Sequence, residues 1–233
     1  MMDKMLTTLS QGLPQLGLTL DENIQKTLCD FGHAMVKQNE VMNLTGITEP
    51  EAVAKLHLLD SLTVLCCADL AGKRLIDVGC GAGFPGVPLA IASGATVTLL
   101  DSLGKRMKWL ESCLPQLGIE AECVTARAEE AVATRRESYD FATSRAVARL
   151  NILLELTAPY VKVGGAVLAM KGTAAKEELA ECANAMKKLG LKLEGVKEFP
   201  IDGTNHAVIV LRKVAPTPKQ FPRRFAKIKQ SPL

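Results

Sequence analysis

The chain has 233 residues, 48% of them hydrophobic, with 28 Lys and Arg set against 25 Asp and Glu. That length and apolar content describe one α/β domain with an extension, and they exclude a disordered chain. A net charge of +3 does not by itself point to nucleic acid, and no apolar run nears the roughly 18 residues of a membrane helix. Seven cysteines, scattered without a C-x-x-C pair, argue against a zinc or other metal site and for reduced thiols in a cytoplasmic protein.

Residues 1–68 read as helical. Asp21 or Asn23 is placed to cap a helix running to about Gln38, with Ile24, Leu28, Phe31 and Met35 at helical spacing. A turn from Asn43 to Thr48 leads to a second helix, opened by Thr48 or Glu49 with Pro50 and running through Leu56, Leu59, Leu62 and Leu65. Residues 1–72 are therefore expected to cap a sheet domain over 73–215. In that domain strands are predicted near 75–79, 96–101, 121–125, 139–144, 165–171, 193–199 and 207–213. Helices are predicted near 86–93, 104–117, 129–136, 149–160 and 174–189. Such alternation predicts a parallel sheet with helices on both faces. The last two strands are joined only by a turn, Pro200 to Asn205, and should pair antiparallel. Residues 216–233, basic and proline-containing, are predicted to lie extended on the surface.

The chemistry gathers around the first strand. Leu75 to Val78 carries an acid, Asp77, and empties into a loop with glycines at 79, 81, 83 and 86. Strand, glycine loop and helix build a nucleotide site at the carboxyl ends of parallel strands. A dinucleotide fingerprint requires a third glycine where Phe84 stands. The D-x-G-x-G-x-G spacing is closer to the class I S-adenosylmethionine (AdoMet) methyltransferases. AdoMet has no pyrophosphate to cradle, so the loop need only let an amino-acid tail and an adenosine lie against the backbone. A seven-stranded, mostly parallel, Rossmann-like sheet ending in an antiparallel hairpin is the architecture expected of that class.

Asp101 ends the second strand 22 residues after Gly79, where a carboxylate accepts from a ribose diol; it also suits an N-cap. After the third strand, Ala128 and Glu129 offer a backbone and a carboxylate to an adenine edge, or simply start a helix. The fourth strand ends in Ser144-Arg145. The Asn/Asp-Pro-Pro-aromatic sequence of many amine-methylating enzymes is missing there. Arg145 suits an electron-rich base edge or a phosphate, or else a salt bridge. Lys105, Arg106, Arg145, Lys171 and the basic tail together make a candidate phosphate-binding rim, against the alternative of solvated faces. His57 and Asp60 share one helix face. His57 is a candidate to touch substrate or AdoMet, or a structural histidine.

Several pieces in order resemble the bacterial RsmG (GidB) family of 16S rRNA guanine-N7 methyltransferases. They are Asn43-Leu-Thr45, His57 to Leu62, Ile76 to Leu89 with its Gly-Phe-Pro-Gly, Leu100 to Arg106, Ala126 to Glu129, Ser144 to Val147 and Met170-Lys-Gly172. The resemblance implies AdoMet contacts at Gly79, Phe84, Ala128, Glu129 and Arg145, with Gly81 and Asp101 in the same site. It implies methylation of guanine 527 in the decoding-region loop of small-subunit rRNA. Asn43, His57, Lys105, Arg106 and Lys171 become candidate substrate contacts. The protein is expected to act as a monomer on the small ribosomal subunit, with no membrane partner. The tail departs from the family pattern, ending Arg224 to Leu233 without Gly-Thr-Pro.

Guanine N7 carries an in-plane lone pair, so such a reaction requires no general base. Arg145 would orient the base or contact AdoMet. The rival readings are a small-molecule methyltransferase and a non-catalytic AdoMet- or RNA-binding assembly factor. An NAD-dependent reductase fits less well, lacking the glycine spacing and a Tyr/Lys pair.

Overall fold

The computed structural model describes residues 3–233. Helix α1 (Lys4–Gly12) starts where the Asp3 carboxylate accepts the N–H groups of Met5 and Leu6. Helix α2 (Glu22–Met42) begins after Asp21 and runs past Gln38 until Asn43 ends it in left-handed backbone, φ 50°. The second helical run is composite. It comprises α3 (Pro50–Val53), a π-helical stretch over Ala54–Leu59, α4 (Asp60–Leu62) and a 3-10 end over Thr63–Cys66.

Strand and helix then alternate. The elements are β1 (Arg74–Val78), α5 (Gly86–Ser93), β2 (Thr96–Asp101), α6 (Gly104–Cys113), β3 (Glu122–Thr125) and α7 (Ala128–Arg135). They continue with β4 (Tyr139–Arg145), α8 (Leu150–Thr157), β5 (Val161–Lys171), α9 (Ala175–Ala180), α10 (Ala183–Leu189), β6 (Leu191–Ile201) and β7 (Thr204–Lys213). The sheet has the order β3-β2-β1-β4-β5-β7-β6. Strands β1 to β5 are parallel, and β7 runs antiparallel to both β5 and β6, as the missing last crossover requires. Val78 pairs with Leu100 and Asp77 with Thr143, so Gly79, Asp101 and Arg145 emerge together at one edge. That edge is where an open α/β sheet changes direction and holds its ligand.

Three predicted helices are shorter than expected, two of them because of proline. The helix over 104–117 gives way at Cys113 to a 3-10 turn opened by Pro115, and that over 149–160 gives way at Thr157 to one containing Pro159. The third, over 174–189, splits into α9 and α10 at Glu181-Cys182. The terminal hairpin turns more tightly than the six-residue segment suggests. Only Asp202 (φ 50°) and Gly203 (φ 75°) leave the ladder, two successive positive φ angles as a right-twisted hairpin favours. The extended surface tail is also corrected. It ends in a short helix, α11 (Phe225–Gln230), with Phe221 and Ile228 buried.

The sheet has a core on each face. One packs α1, α2, the 50–66 run, α5 and α6 against Leu75, Leu99 and Leu168. The other packs α7, α8, α10 and Phe221 of the tail against Ile76, Val167 and Ile209. Among the described residues no helix is long and apolar enough to cross a membrane.

Candidate active site

The glycine loop after β1 is shaped by the two acids flanking it. Asp77 is fully buried, and its Oδ2 accepts the Gly86 N–H at 2.7 Å, tying the start of α5 to β1. Asp101 Oδ2 accepts the Gly81 N–H at 3.0 Å, and its Oδ1 accepts that of Leu103 at 2.8 Å. Gly79, Gly81 and Gly83 have φ of 76°, 58° and 95°, which a side chain would strain. At Gly79 space is a second reason, since a Cβ would meet Val147 Cγ2 at 2.4 Å.

The loop forms one wall of a cavity of 410 Å³, whose lining includes Gly79, Gly81, Phe84, Asp101, Ala128, Glu129, His57 and Arg145. The site residues expected from the sequence on β1, β2, β3 and β4 are thus brought together. The donor set fits AdoMet. Each Asp101 oxygen keeps a second lone pair for a diol. Helix α7 opens at Ala128 without a side-chain cap, leaving its first N–H groups for a ligand edge. The Ala128 carbonyl already accepts the Tyr160 hydroxyl at 2.6 Å. Asp77 Oδ1, beneath the loop, is the one buried side-chain acceptor left without a donor among the described residues. Burial raises the Asp77 carboxyl to about 7.

Arg145 closes the opposite side. Its Nη1 donates to the Leu56 carbonyl and to Asp60 Oδ2, both at 2.9 Å, and its Nη2 lies 3.1 Å from His57 Nδ1. An arginine cannot accept, so His57 Nδ1 is the acceptor and the ring is neutral. Burial, reinforced by the guanidinium, lowers the His57 pKa to about 4. His57 Nε2 then donates to Thr45 Oγ1 at 2.9 Å. The His57 ring stacks on Phe84 at 4.8 Å, and Arg145 sits 5.4 Å over the same ring. Asp60 Oδ1 meets His206 Nδ1 at 2.8 Å, a contact that raises the His206 pKa despite partial burial. Ala146, next along, holds a left-handed φ of 57°. A non-glycine residue kept in that region marks a backbone over-determined by its surroundings.

Other expected contacts are placed differently. Asn43 is the exposed left-handed cap of α2, and Thr45 of the same motif reaches the cleft instead. Lys171 is turned inward, donating to the Ala148 carbonyl at 2.6 Å and pairing with Glu178 at 2.8 Å, with its side chain 8% exposed. It braces the loop after β4. Lys105 is exposed outside the cavity, whereas Arg106 lines it. Arg127, His206 and Phe225 are missed by sequence reasoning. Arg127 and Phe225 line the cavity, and His206 lines an adjoining hollow with Asp60 and Arg145. Of these, only Arg127 had a signal, as the charged residue between the last strand residues and Ala128.

The family model for rRNA small subunit methyltransferase G (GidB) matches residues 24–207. The chain belongs to this family. Ribosomal RNA small subunit methyltransferase G of Clostridium perfringens (strain 13 / Type A) is 40% identical, with 94% of each chain covered. That of Caldanaerobacter subterraneus subsp. tengcongensis is 41% identical, with 100% of each covered. Among solved structures, M. jannaschii TYW2 in complex with AdoMet superposes with a TM-score of 0.54 at 15% identity, covering 65% of this chain and 74% of that one. The YcgJ protein of Bacillus subtilis gives 0.53 at 13% identity, covering 67% and 98%. At such identities these structures show the fold, that of the class I methyltransferases. As a member of the small subunit methyltransferase G family, the chain is an AdoMet-dependent rRNA methyltransferase.

Proposed function

We propose that the chain methylates N7 of a guanine in 16S rRNA, guanine 527 by its family resemblance. One observation carries the choice of atom. Among the described residues, the two groups at the end of β4 that could take a proton, His57 Nδ1 and the Ser144 hydroxyl, are already engaged within the protein. His57 Nδ1 is held by Arg145, and the buried Ser144 hydroxyl donates to the Val78 carbonyl at 2.6 Å. An exocyclic amine would have to lose a proton there, whereas N7 would not.

AdoMet, when bound, supplies a methyl group activated by a sulfonium. The protein's part is alignment, which accounts for much of such a rate enhancement. The loop from Gly79 to Phe84 and the Asp101 carboxylate, which line the cavity, would hold the cofactor's tail and ribose. Arg145 has five N–H groups, of which three are used within the protein, and the other two are available to a guanine edge or to the cofactor. Thr45, His57 and Asp60 fix its plane. Arg106 and Arg127 line the mouth with no carboxylate partner among the described residues and suit rRNA phosphates. The reading includes a monomer acting on the small ribosomal subunit in the cytoplasm, where ribosomal subunits are found.

The test is tritiated AdoMet with 30S subunits, naked 16S rRNA, a small-molecule cell extract or buffer, followed by mapping of the labelled base through N7-specific chain cleavage. Label at one guanine N7 is the expected result. Label on metabolites alone would establish a small-molecule methyltransferase. AdoMet uptake with no label anywhere would establish a non-catalytic factor.

A further inference from the structure

The tail is built into the cofactor cleft. After β7, the N–H groups of Val214 and Ala215 donate to the Gly190 carbonyl. The Arg136 guanidinium donates to the carbonyls of Thr217 and Phe221. The buried Lys213 ammonium donates to the Ala158 carbonyl at 2.8 Å and to the Thr217 hydroxyl. Glu155 of α8 is the strongest tie. Its carboxylate is 0% exposed, and all three of its donors belong to Arg223: the backbone N–H, Nε and Nη2, at 2.8, 2.8 and 2.6 Å. Without the tail, a buried carboxylate would be left alone, a costly arrangement. The segment is therefore a fixed wall rather than a loose end.

Two residues beyond Arg223, Phe225 opens α11. Ile228, one turn later and fully buried, seats the helix. Phe225 is only half-buried, and it lines the cavity together with Ala126, Ala128, Glu129 and Leu156. Leu156 is on α8, and the other three belong to the β3–α7 side, the end read above as facing adenine. The other aromatic rings that line the cavity, Phe84 and His57, stack on one another on the N-terminal side of the fold, where Phe84 also meets Phe31. Phe225 brings to the far end a ring that pairs with no other among the described residues.

We propose that Phe225 forms one face of the adenine site, so that the tail is a cofactor-binding element of this protein. The inference rests on the AdoMet reading of the cleft. An adenine offers a flat π face, and an aromatic side chain stacks on it without needing directional hydrogen bonds. The N–H groups at the start of α7 read the edge while Phe225 covers the face. Arg224, the N-cap of this helix, and Lys229 within it stand exposed and line an adjoining hollow with Arg127, so the wall that holds adenine is continuous with a basic surface.

The experiment is calorimetric titration of AdoMet, S-adenosylhomocysteine and 5′-methylthioadenosine into the full chain, Phe225→Ala and Phe225→Leu. Thermal unfolding without ligand and tryptic cleavage at Lys227 and Lys229 report whether the tail stays seated. Phe225→Leu retains an apolar side chain for docking but removes the ring. Both variants are expected to weaken all three ligands, by about tenfold in the alanine case. Methylthioadenosine is the decisive probe, because it keeps the adenine and lacks the amino-acid tail. Unchanged affinities within about twofold in Phe225→Leu, or a loss for AdoMet without one for methylthioadenosine, would overturn the assignment. A wild-type protein that takes up none of the three overturns the AdoMet reading itself, and this inference with it.

Discussion

The two sides of the cleft use basic residues in opposite ways. On the β4–β5 side, Arg145 and Lys171 are enclosed, each on a carboxylate and a carbonyl of its own protein. On the β2–β3 side, Arg106 and Arg127 line the same mouth with no such partner among the described residues. A cation at the end of a strand is therefore two different things. Where a buried carboxylate meets it, it is part of the frame and its removal is felt in folding. Where nothing meets it, it is available to a ligand and its removal is felt in binding.

The largest effect should follow Arg145→Ala. Asp60, 5% exposed, would lose its main partner and keep only His206, at a cost of about 3–5 kcal/mol in urea unfolding together with loss of methyl transfer. A fully stable variant would erase the distinction drawn here. Next comes His57, whose pKa lies near 4 in the folded chain against an ordinary 6.5. Between those values the unfolded chain takes the proton and the folded chain does not. The stability His57 provides is therefore complete above pH 6.5 and is lost as pH falls toward 4, by up to about 3 kcal/mol. Asp77, raised to about 7, slopes the other way over that window and masks the effect in the total. Subtracting a His57→Asn variant measured at each pH exposes it, and a difference that does not change with pH would contradict the neutral, engaged ring.

Lys171→Met should cost about 2 kcal/mol in the same urea assay, because Glu178 keeps the Leu150 N–H as a partner. Its affinity for rRNA should change little. The smallest effect on folding belongs to Arg106→Ala and Arg127→Ala, within about 0.5 kcal/mol of the parent. Each should instead weaken rRNA binding and lower the slope of log affinity against log salt by about one. An unaltered slope in both variants would place the phosphate contacts elsewhere.

How far the sequence could be read follows the same division. The glycine loop was legible because its function is written in backbone: an acid, then residues without a Cβ at fixed spacing. Alternation carried the sheet, and the absent last helix carried the antiparallel hairpin. Partners across the fold were not legible. Nothing near Arg145 in the chain announces that Leu56 and Asp60, 89 and 85 positions away, will hold it. The tail misled for a related reason, since proline and basic residues describe a solvated strand unless a buried acid such as Glu155 waits for one of them. Asp60 was visible beside His57, but its second partner, His206, arrives on β7 only after the sheet is assembled.

The π-helical stretch over Ala54–Leu59 bears on how this protein can change. Such a stretch is a helix carrying one residue more than its α pitch requires. A one-residue deletion there would be easily repaired as hydrogen bonding, because an ordinary helix would result. It would also swing everything before it by about 100° relative to Asp60. Val53 would leave the core, and Thr45 would leave the hydroxyl position that His57 uses. Related sequences should therefore vary in the letters of this segment far more freely than in its length.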